Sequence, residues 1–172
     1  TYKSNRKEKR KPIVLGAMRE HIMKNHNGVM WANLEADDVM GIMATEPAVD
    51  EERILISIDK DMRTIPCNLS QDGMTVEQIP EKIANYNFMI QTIMGDKVDG
   101  YDGIEGVGIK TAEKLLLKYT NCTLPDLWKI VKGIYKEKGY TQKEALQQAR
   151  VAHILRHGEY NKKTGEVKLW TL

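Results

Sequence analysis

Cysteine is scarce in this chain of 172 residues: Cys67 and Cys122 stand far apart, with no C-x-x-C pair. That excludes a disulfide framework and a cysteine-based zinc site, and both are read as reduced thiols. Long apolar runs are missing as well, since nothing approaches the roughly 18 residues that would cross a bilayer. No signal peptide opens the chain. The expectation is therefore a soluble cytoplasmic protein without a membrane partner. An internal repeat of roughly 20 to 50 residues is also lacking, as is any low-complexity tract. What remains is ordinary: 41% of the residues are hydrophobic, enough for a core and for one domain plus a small second. The chain starts at Thr1, inside a charged run, which predicts that upstream residues have been lost.

A net charge of +2 conceals a strong separation. The opening "TYKSNRKEKRKP" carries Lys3, Arg6, Lys7, Lys9, Arg10 and Lys11 against Glu8 alone. Between Trp31 and Asp61 the sign reverses, with Glu35, Asp37, Asp38, Glu46, Asp50, Glu51, Glu52, Asp59 and Asp61 against Arg53 and Lys60. Such runs are commonly only solvated surface. A protein that cuts a phosphate backbone nevertheless needs both signs, because cations hold phosphates and carboxylates hold metal.

The hydrophobic pattern places these charges. Ile13, Ala17, Met18, Ile22 and Met23 recur at helical intervals and Gly28 stops the run. "GVMWAN" reads as a short strand, Glu35 to Ala44 as a helix, and "RILISI" (53–58) as a buried parallel strand. That strand, helix, strand order predicts a right-handed unit whose strands end at one edge. Four helices follow in the pattern, over 80–95, 110–119, 124–138 and 141–157, and "YNKKTGEVKLW" reads as a β-hairpin around Lys163 to Gly165. The methionines, including Met18, Met40, Met43, Met89 and Met94, read as flexible filling of apolar helical faces.

Glu35, Asp37 and Asp38 follow the first expected strand, and Asp59 and Asp61 follow the second. Ligands of α/β sheets bind at the carboxyl ends of strands about 4.8 Å apart, so five carboxylates should crowd one edge. An acid near a helix N-terminus gains about 0.3–1 kcal/mol, whereas two like charges about 4 Å apart repel by about 4 kcal/mol at an effective dielectric of 20. Capping cannot offset that. Either protons are shared between the carboxyls or a divalent cation binds; oxygen donors without His or Cys point to magnesium or manganese. A helix cap beside an unrelated turn would explain either motif alone.

Asp96 and Asp99 form a further acidic pair ahead of "GIEGVGIKTA", with Gly103, Gly106 and Gly108 leading to Lys110 and Thr111 at a helix start. Glycines let a backbone approach a phosphate, and amides at a helix start point at it. This is the grammar of a helix-hairpin-helix, which holds the DNA backbone without reading sequence. A nucleotide P-loop needs a preceding strand and G-x-x-x-x-G-K-[ST]; the spacing here is wrong and the preceding element is helical.

In this order "LEADDVMG", "SIDKDM", "GDKVD" and "GIEGVGIKTAEKLL" resemble the flap endonuclease and 5′-3′ exonuclease superfamily, with its helix-three-turn-helix DNA clamp. "YKSNR" resembles the basic segment at the base of that family's helical arch, and "AHILRHGEYN" is similar to a closing motif of the exonucleases of T-seven-like phages. The resemblance implies an α/β fold: a parallel-sheet PIN-like nuclease core over residues 1–94, N-terminally truncated and including an arch-base segment at 1–27. A helical DNA-binding region with a terminal hairpin would follow over 95–172. It implies hydrolysis of DNA from 5′ ends with two Mg2+ (or Mn2+) ions. Glu35, Asp37, Asp38, Asp59 and Asp61 would hold the first ion, and Asp96 and Asp99 the second. Lys3 and Arg6, with Lys7 beside them, would contact phosphate near the scissile bond. Gly103, Gly106, Gly108, Lys110 and Thr111 would grip the duplex, where K+ also often binds.

Implied partners are double-stranded or flapped DNA and RNA-DNA hybrid, with the protein otherwise a monomer in a bacterial host cell. The family's first strand and two further aspartates would lie upstream of Thr1, so a separate N-terminal segment is a candidate partner. The alternative is a non-catalytic or partner-dependent DNA-binding fragment. Where the family has Asn-Ile-Pro after the last aspartate, this chain has Gly100, Tyr101 and Asp102. Tyr101 is the one aromatic expected to meet DNA. His153 and His157, one turn apart on an expected helix, lack a third ligand and read as structural or solvated. Trp128 and Trp170 read as packing.

Overall fold

A computed structural model describes residues 10–47 and 52–172. Helix α1 (Leu15–Asn25) is followed by α2 (Ala36–Thr45), β1 (Ile54–Ile56), a 3-10 turn (Lys60–Thr64), β2 (Cys67–Ser70) and β3 (Glu77–Ile79). Then come α3 (Glu81–Met94), α4 (Ile109–Leu116), α5 (Leu124–Glu137), α6 (Gln142–Ala152), β4 (Tyr160–Asn161) and β5 (Glu166–Val167). No helix among the described residues is long and apolar enough to cross a membrane.

The later helices follow their signals. Thr123 caps α5, with Pro125 in its first turn, and Thr141 with Glu144 closes a reciprocal capping box on α6. Both helices lay an apolar stripe on α3, whose Phe88, Met89 and Ile93 pack with Leu116, Leu127, Val131 and Tyr135 in one core cluster. The N-terminal end of α3 serves a second cluster, where Ala84 joins Leu55, Met62, Ile65, Leu69 and Ile79 under the sheet. Helix α3 therefore belongs to both cores. Trp128 and Trp170 pack edge to face within the helical cluster, as packing residues. Met89 fills that core, whereas Met18 and Met43 are exposed. Helix α1 forms over the expected residues yet buries none of them.

The sheet departs from expectation. "GVMWAN" is not a strand: Asn27 and Asn33 adopt left-handed backbone at φ 50° and 62°, and Val29 and Met30 are exposed. Asn tolerates that region, which ends an extended run. Among the described residues the expected crossover unit is thus absent. Instead β1 runs parallel to β2, pairing Leu55 with Leu69, and the connection is the 3-10 turn. Strand β3 then pairs antiparallel with β2. Strand β1 stands at the sheet edge, and only Leu55 of its three residues is buried, so "RILISI" is covered on one face rather than two.

The last expected helix stops early, at Ala152 rather than His157. Its next backbone amides have other acceptors: the Leu155 N–H donates to Asp38 Oδ1 at 3.1 Å and the His157 N–H to Thr45 Oγ1 at 2.7 Å. Beyond this extended segment, β4 and β5 pair antiparallel.

Candidate active site

Helix α2 begins at the "EADD" run because Glu35, in extended backbone, serves as N-cap while Asp37 and Asp38 occupy the first turn. Acids there favour the helix dipole. The Asp38 carboxylate also takes backbone hydrogen bonds from Leu155 and Glu35, which lower its pKa, but burial outweighs them and the carboxyl is pushed up. Glu35 makes no side-chain cap bond.

The second acidic motif is self-organised. Asp59 caps the 3-10 turn by accepting the Asp61 N–H at 2.9 Å, and its own N–H donates to Ser57 Oγ at 3.1 Å. The Asp61 carboxyl is pushed up, chiefly by burial and then by repulsion from Asp59 and, more weakly, Asp96; a hydrogen bond with Gln91 and the charge of Lys60 pull the other way. Asp96 shapes the third motif: its Oδ1 accepts the Val98 N–H at 2.7 Å, and its main chain bridges to Tyr101. Lys60 Nζ reaches its Oδ2 at 3.4 Å.

Glu35, Asp37, Asp38, Asp61 and Asp99 line one cavity of about 410 Å³. Gln91, Arg150 and His153 are in the same wall. Asp59 and Asp96 are outside the wall and reach the cluster through their charge on Asp61. Among the described residues, no three Asp, Glu, His or Cys side chains converge closely enough to hold one ion by themselves. The donors are nonetheless the hard oxygens that magnesium takes, and magnesium keeps several waters rather than a closed protein cage. The set fits such an ion through carboxylates assisted by water.

Tyr101 contradicts the expectation of a DNA-facing aromatic. It is 6% exposed, its hydroxyl accepts from Gln91 Nε2 at 2.9 Å, and burial pushes its phenol well up. His153 and His157 are not helical neighbours, because both lie past the end of α6. His153 Nε2 instead meets Glu159 at 2.8 Å beneath Phe88, the structural role expected of it.

The glycine-rich turn lines a second cavity, of about 670 Å³, between α3 and the start of α4. Gly95 and Gly103, at φ 69° and 60°, cross so closely that a Cβ on either would lie 2.4 Å from the other's backbone. Gly103 is therefore buried in the turn's frame, and its N–H donates to Gln148 Oε1 at 3.0 Å. The Glu105 N–H goes to Tyr140 Oη at 3.1 Å, that of Ile104 to the Ile93 carbonyl, and that of Val107 to the Ile104 carbonyl. Gly106 and Gly108 line this cavity and are exposed, and Lys110 and Thr111 follow, exposed, in the first turn of α4. Lys3, Arg6 and Lys7 lie outside the described residues.

Sequence reasoning missed Gln91, Gln148 and Tyr140. Gln91 carried a faint signal, a polar residue within the apolar "FMIQTIM". The other two partners are 45 and 35 residues from the amides they hold.

No protein-family model matches the chain. It is 33% identical to the exodeoxyribonuclease of Enterobacteria phage T3 and 32% identical to the exonuclease of Escherichia phage T7. The T3 match covers 99% of this chain and 67% of the relative. The flap endonuclease Xni of Shewanella baltica is 26% identical over 90% of the chain and 63% of its own length. The chain thus spans about two thirds of the length of the curated relatives it matches. With the acids gathered at one cavity and this similarity along nearly its full length, the chain belongs to the 5′-3′ exonuclease and flap endonuclease family of nucleases.

Proposed function

We propose that the chain hydrolyses DNA phosphodiester bonds from 5′ ends, on duplex or flapped DNA, with two magnesium or manganese ions held at the acidic cavity. The observation that carries this reading is the convergence of Glu35, Asp37, Asp38, Asp61 and Asp99 on one wall. Residues 1–94 serve as the PIN-like core and 95–172 as the helix-three-turn-helix DNA-binding region, with α3 shared between the two hydrophobic clusters.

In this reading water is the attacking group, and no protein nucleophile is required. A divalent ion, when bound, supplies charge neutralisation and a more acidic water. Glu35, Asp37 and Asp38, with Asp59 and Asp61, would hold one ion, and Asp96 and Asp99 the other. Gln91 orients Asp61 and the Tyr101 hydroxyl beside it. The duplex is gripped at the turn, where the exposed Gly106 and Gly108 let a phosphate reach the amides at the start of α4, with Lys110 adding charge and Thr111 a hydroxyl. Gly103 supports this grip from inside, and K+ is a candidate ion there. Lys3, Arg6 and Lys7 would steady phosphate near the scissile bond. RNA in a hybrid is a further substrate of the same chemistry, and the cytoplasm of a bacterial host is the compartment that the phage relatives suggest.

Two observations among the described residues favour a second reading, a DNA-binding fragment that cuts only with a separate N-terminal segment. The outer edge of β1 has no strand on it, and no three acids converge on one ion among the described residues. Mixing the chain with 5′-end-labelled duplex and magnesium decides between the two. Release of labelled mononucleotide supports the nuclease; retained binding without release at any magnesium concentration supports the fragment.

A further inference from the structure

The segment after α6 lies against α2 in a way that neither the metal nor the DNA reading uses. At one end the Leu155 N–H donates to Asp38 Oδ1, and at the other the His157 N–H donates to Thr45 Oγ1, which itself donates to the Gly41 carbonyl at 2.7 Å. Between them the strap sits so close that a Cβ on Gly41 would lie 2.4 Å from the Leu155 carbonyl oxygen and 2.8 Å from Ile154 Cγ2. Asp38, Gly41 and Thr45 are spaced three and four residues apart, so the strap follows one face of α2. Arg156 reaches sideways, donating to the Thr64 carbonyl at 3.0 Å, and so joins the turn that carries Asp59 and Asp61.

Glu159 ties the strap. Its Oε2 takes the Arg156 N–H at 2.6 Å and meets His153 Nε2 at 2.8 Å, while its carbonyl accepts the Lys168 N–H of the terminal ribbon at 2.8 Å. Residues before, within and after the strap are thus gathered on one residue, His153 and Arg156 through its side chain and Lys168 through its carbonyl. The strap's polar bonds outward go to the two elements that carry acids, α2 and the 3-10 turn.

We propose that the strap Ile154–His157, tied by Glu159, is the positioning element for the acid-bearing first turn of α2, and that Glu159 is a positioning residue acting through it. The consequence for metal rests on the ion-binding reading above; the consequence for α2 does not. Two variants act at different points. Glu159→Ala unties the strap without touching α2, and Gly41→Ala wedges it away while adding a better helix former to α2. Glu159→Gln retains an acceptor for the Arg156 N–H and serves as the conservative rescue. Val131→Ala, in the helical core away from the strap, is the control for lost stability.

Two readouts are made on each chain. Amide hydrogen exchange at Val39 and Met40 should speed up in Glu159→Ala and Gly41→Ala and stay near wild type in Glu159→Gln. Mn2+ binding, followed by loss of the free-ion electron paramagnetic resonance signal, should weaken about tenfold in the first two variants, the lower end for removing an outer-shell partner. DNA binding at the glycine turn should change less than about twofold, a difference well below the 1.4 kcal/mol that a tenfold change represents. Unchanged exchange in both variants, or equal speeding in Val131→Ala, overturns the strap proposal. Faster exchange with Mn2+ binding unaltered overturns its link to the metal, and a wild-type chain that binds no Mn2+ sinks the ion-binding reading while the exchange result still judges the strap.

Discussion

The acidic cavity and the glycine turn solve opposite problems. At the turn the frame is backbone: Gly95 and Gly103 interlock, and the Ile104, Glu105 and Val107 amides are each spent on a specific acceptor. At the cavity the frame is side chains drawn from α2, the 3-10 turn and the Asp96–Tyr101 turn, with carboxyls that burial pushes up. A backbone frame has no charge to lose and tolerates little added bulk. A carboxylate frame tolerates bulk and is sensitive to charge. Substitutions should therefore separate the two regions cleanly.

The largest effect belongs to charge in the cavity. Asp61→Asn should lower magnesium-dependent cleavage by about 10²–10³-fold, the scale for losing one preorganised electrostatic group, with duplex affinity in a gel-shift assay little changed. Cleavage within about threefold of wild type would remove Asp61 from the chemistry.

Bulk in the turn comes next. Gly103→Ala forces a Cβ against the Gly95 backbone at a left-handed φ, and a strain of about 1–3 kcal/mol is expected in urea unfolding. Gly106→Ala has open space around it and should cost only the left-handed conformation, about 1 kcal/mol. If the two variants are equally stable, the interlock is not what holds the turn.

Charge at the turn's mouth is worth less than bulk in its frame. Lys110→Ala should weaken binding uniformly across sequences and lower the salt slope by about one, as for one lost phosphate contact. A sequence-dependent loss would contradict a backbone grip.

The smallest effect lies outside both regions and calibrates them. In the exposed β2–β3 turn the Thr75 and Met74 amides hold the Asp72 carboxyl down at about 2. A folded value below the unfolded one gives stability that is present above about pH 4 and fades as pH falls toward 2. Asp72→Asn should flatten that part of a Tm-against-pH curve and leave the neutral region unchanged. An unaltered acid limb would show that these bonds do not govern it.

How much was legible follows the range of the interactions. Helices α3 to α6 announce themselves through local caps and stripes, such as the Thr141–Glu144 box. The acids were legible as motifs because each is organised locally, as when Asp59 caps the turn of Asp61. The β1–β2 pairing was hidden because its connection is a 3-10 turn rather than a helix, and "GVMWAN" misled because left-handed Asn27 and Asn33 override its β-like composition. The early end of α6 was invisible for a different reason. Its deciding bond joins Leu155 to Asp38, 117 residues away.

The central claim is that one cavity gathers the carboxylates of a metal-dependent nuclease. Its most direct measurement is release of mononucleotide from 5′-end-labelled duplex by the wild-type chain, titrated with magnesium, beside Asp61→Asn. The account predicts release that rises with magnesium, stops in chelator, and is nearly lost in the variant while the duplex stays bound. Release that is indifferent to magnesium, or equal in the two chains, would contradict it.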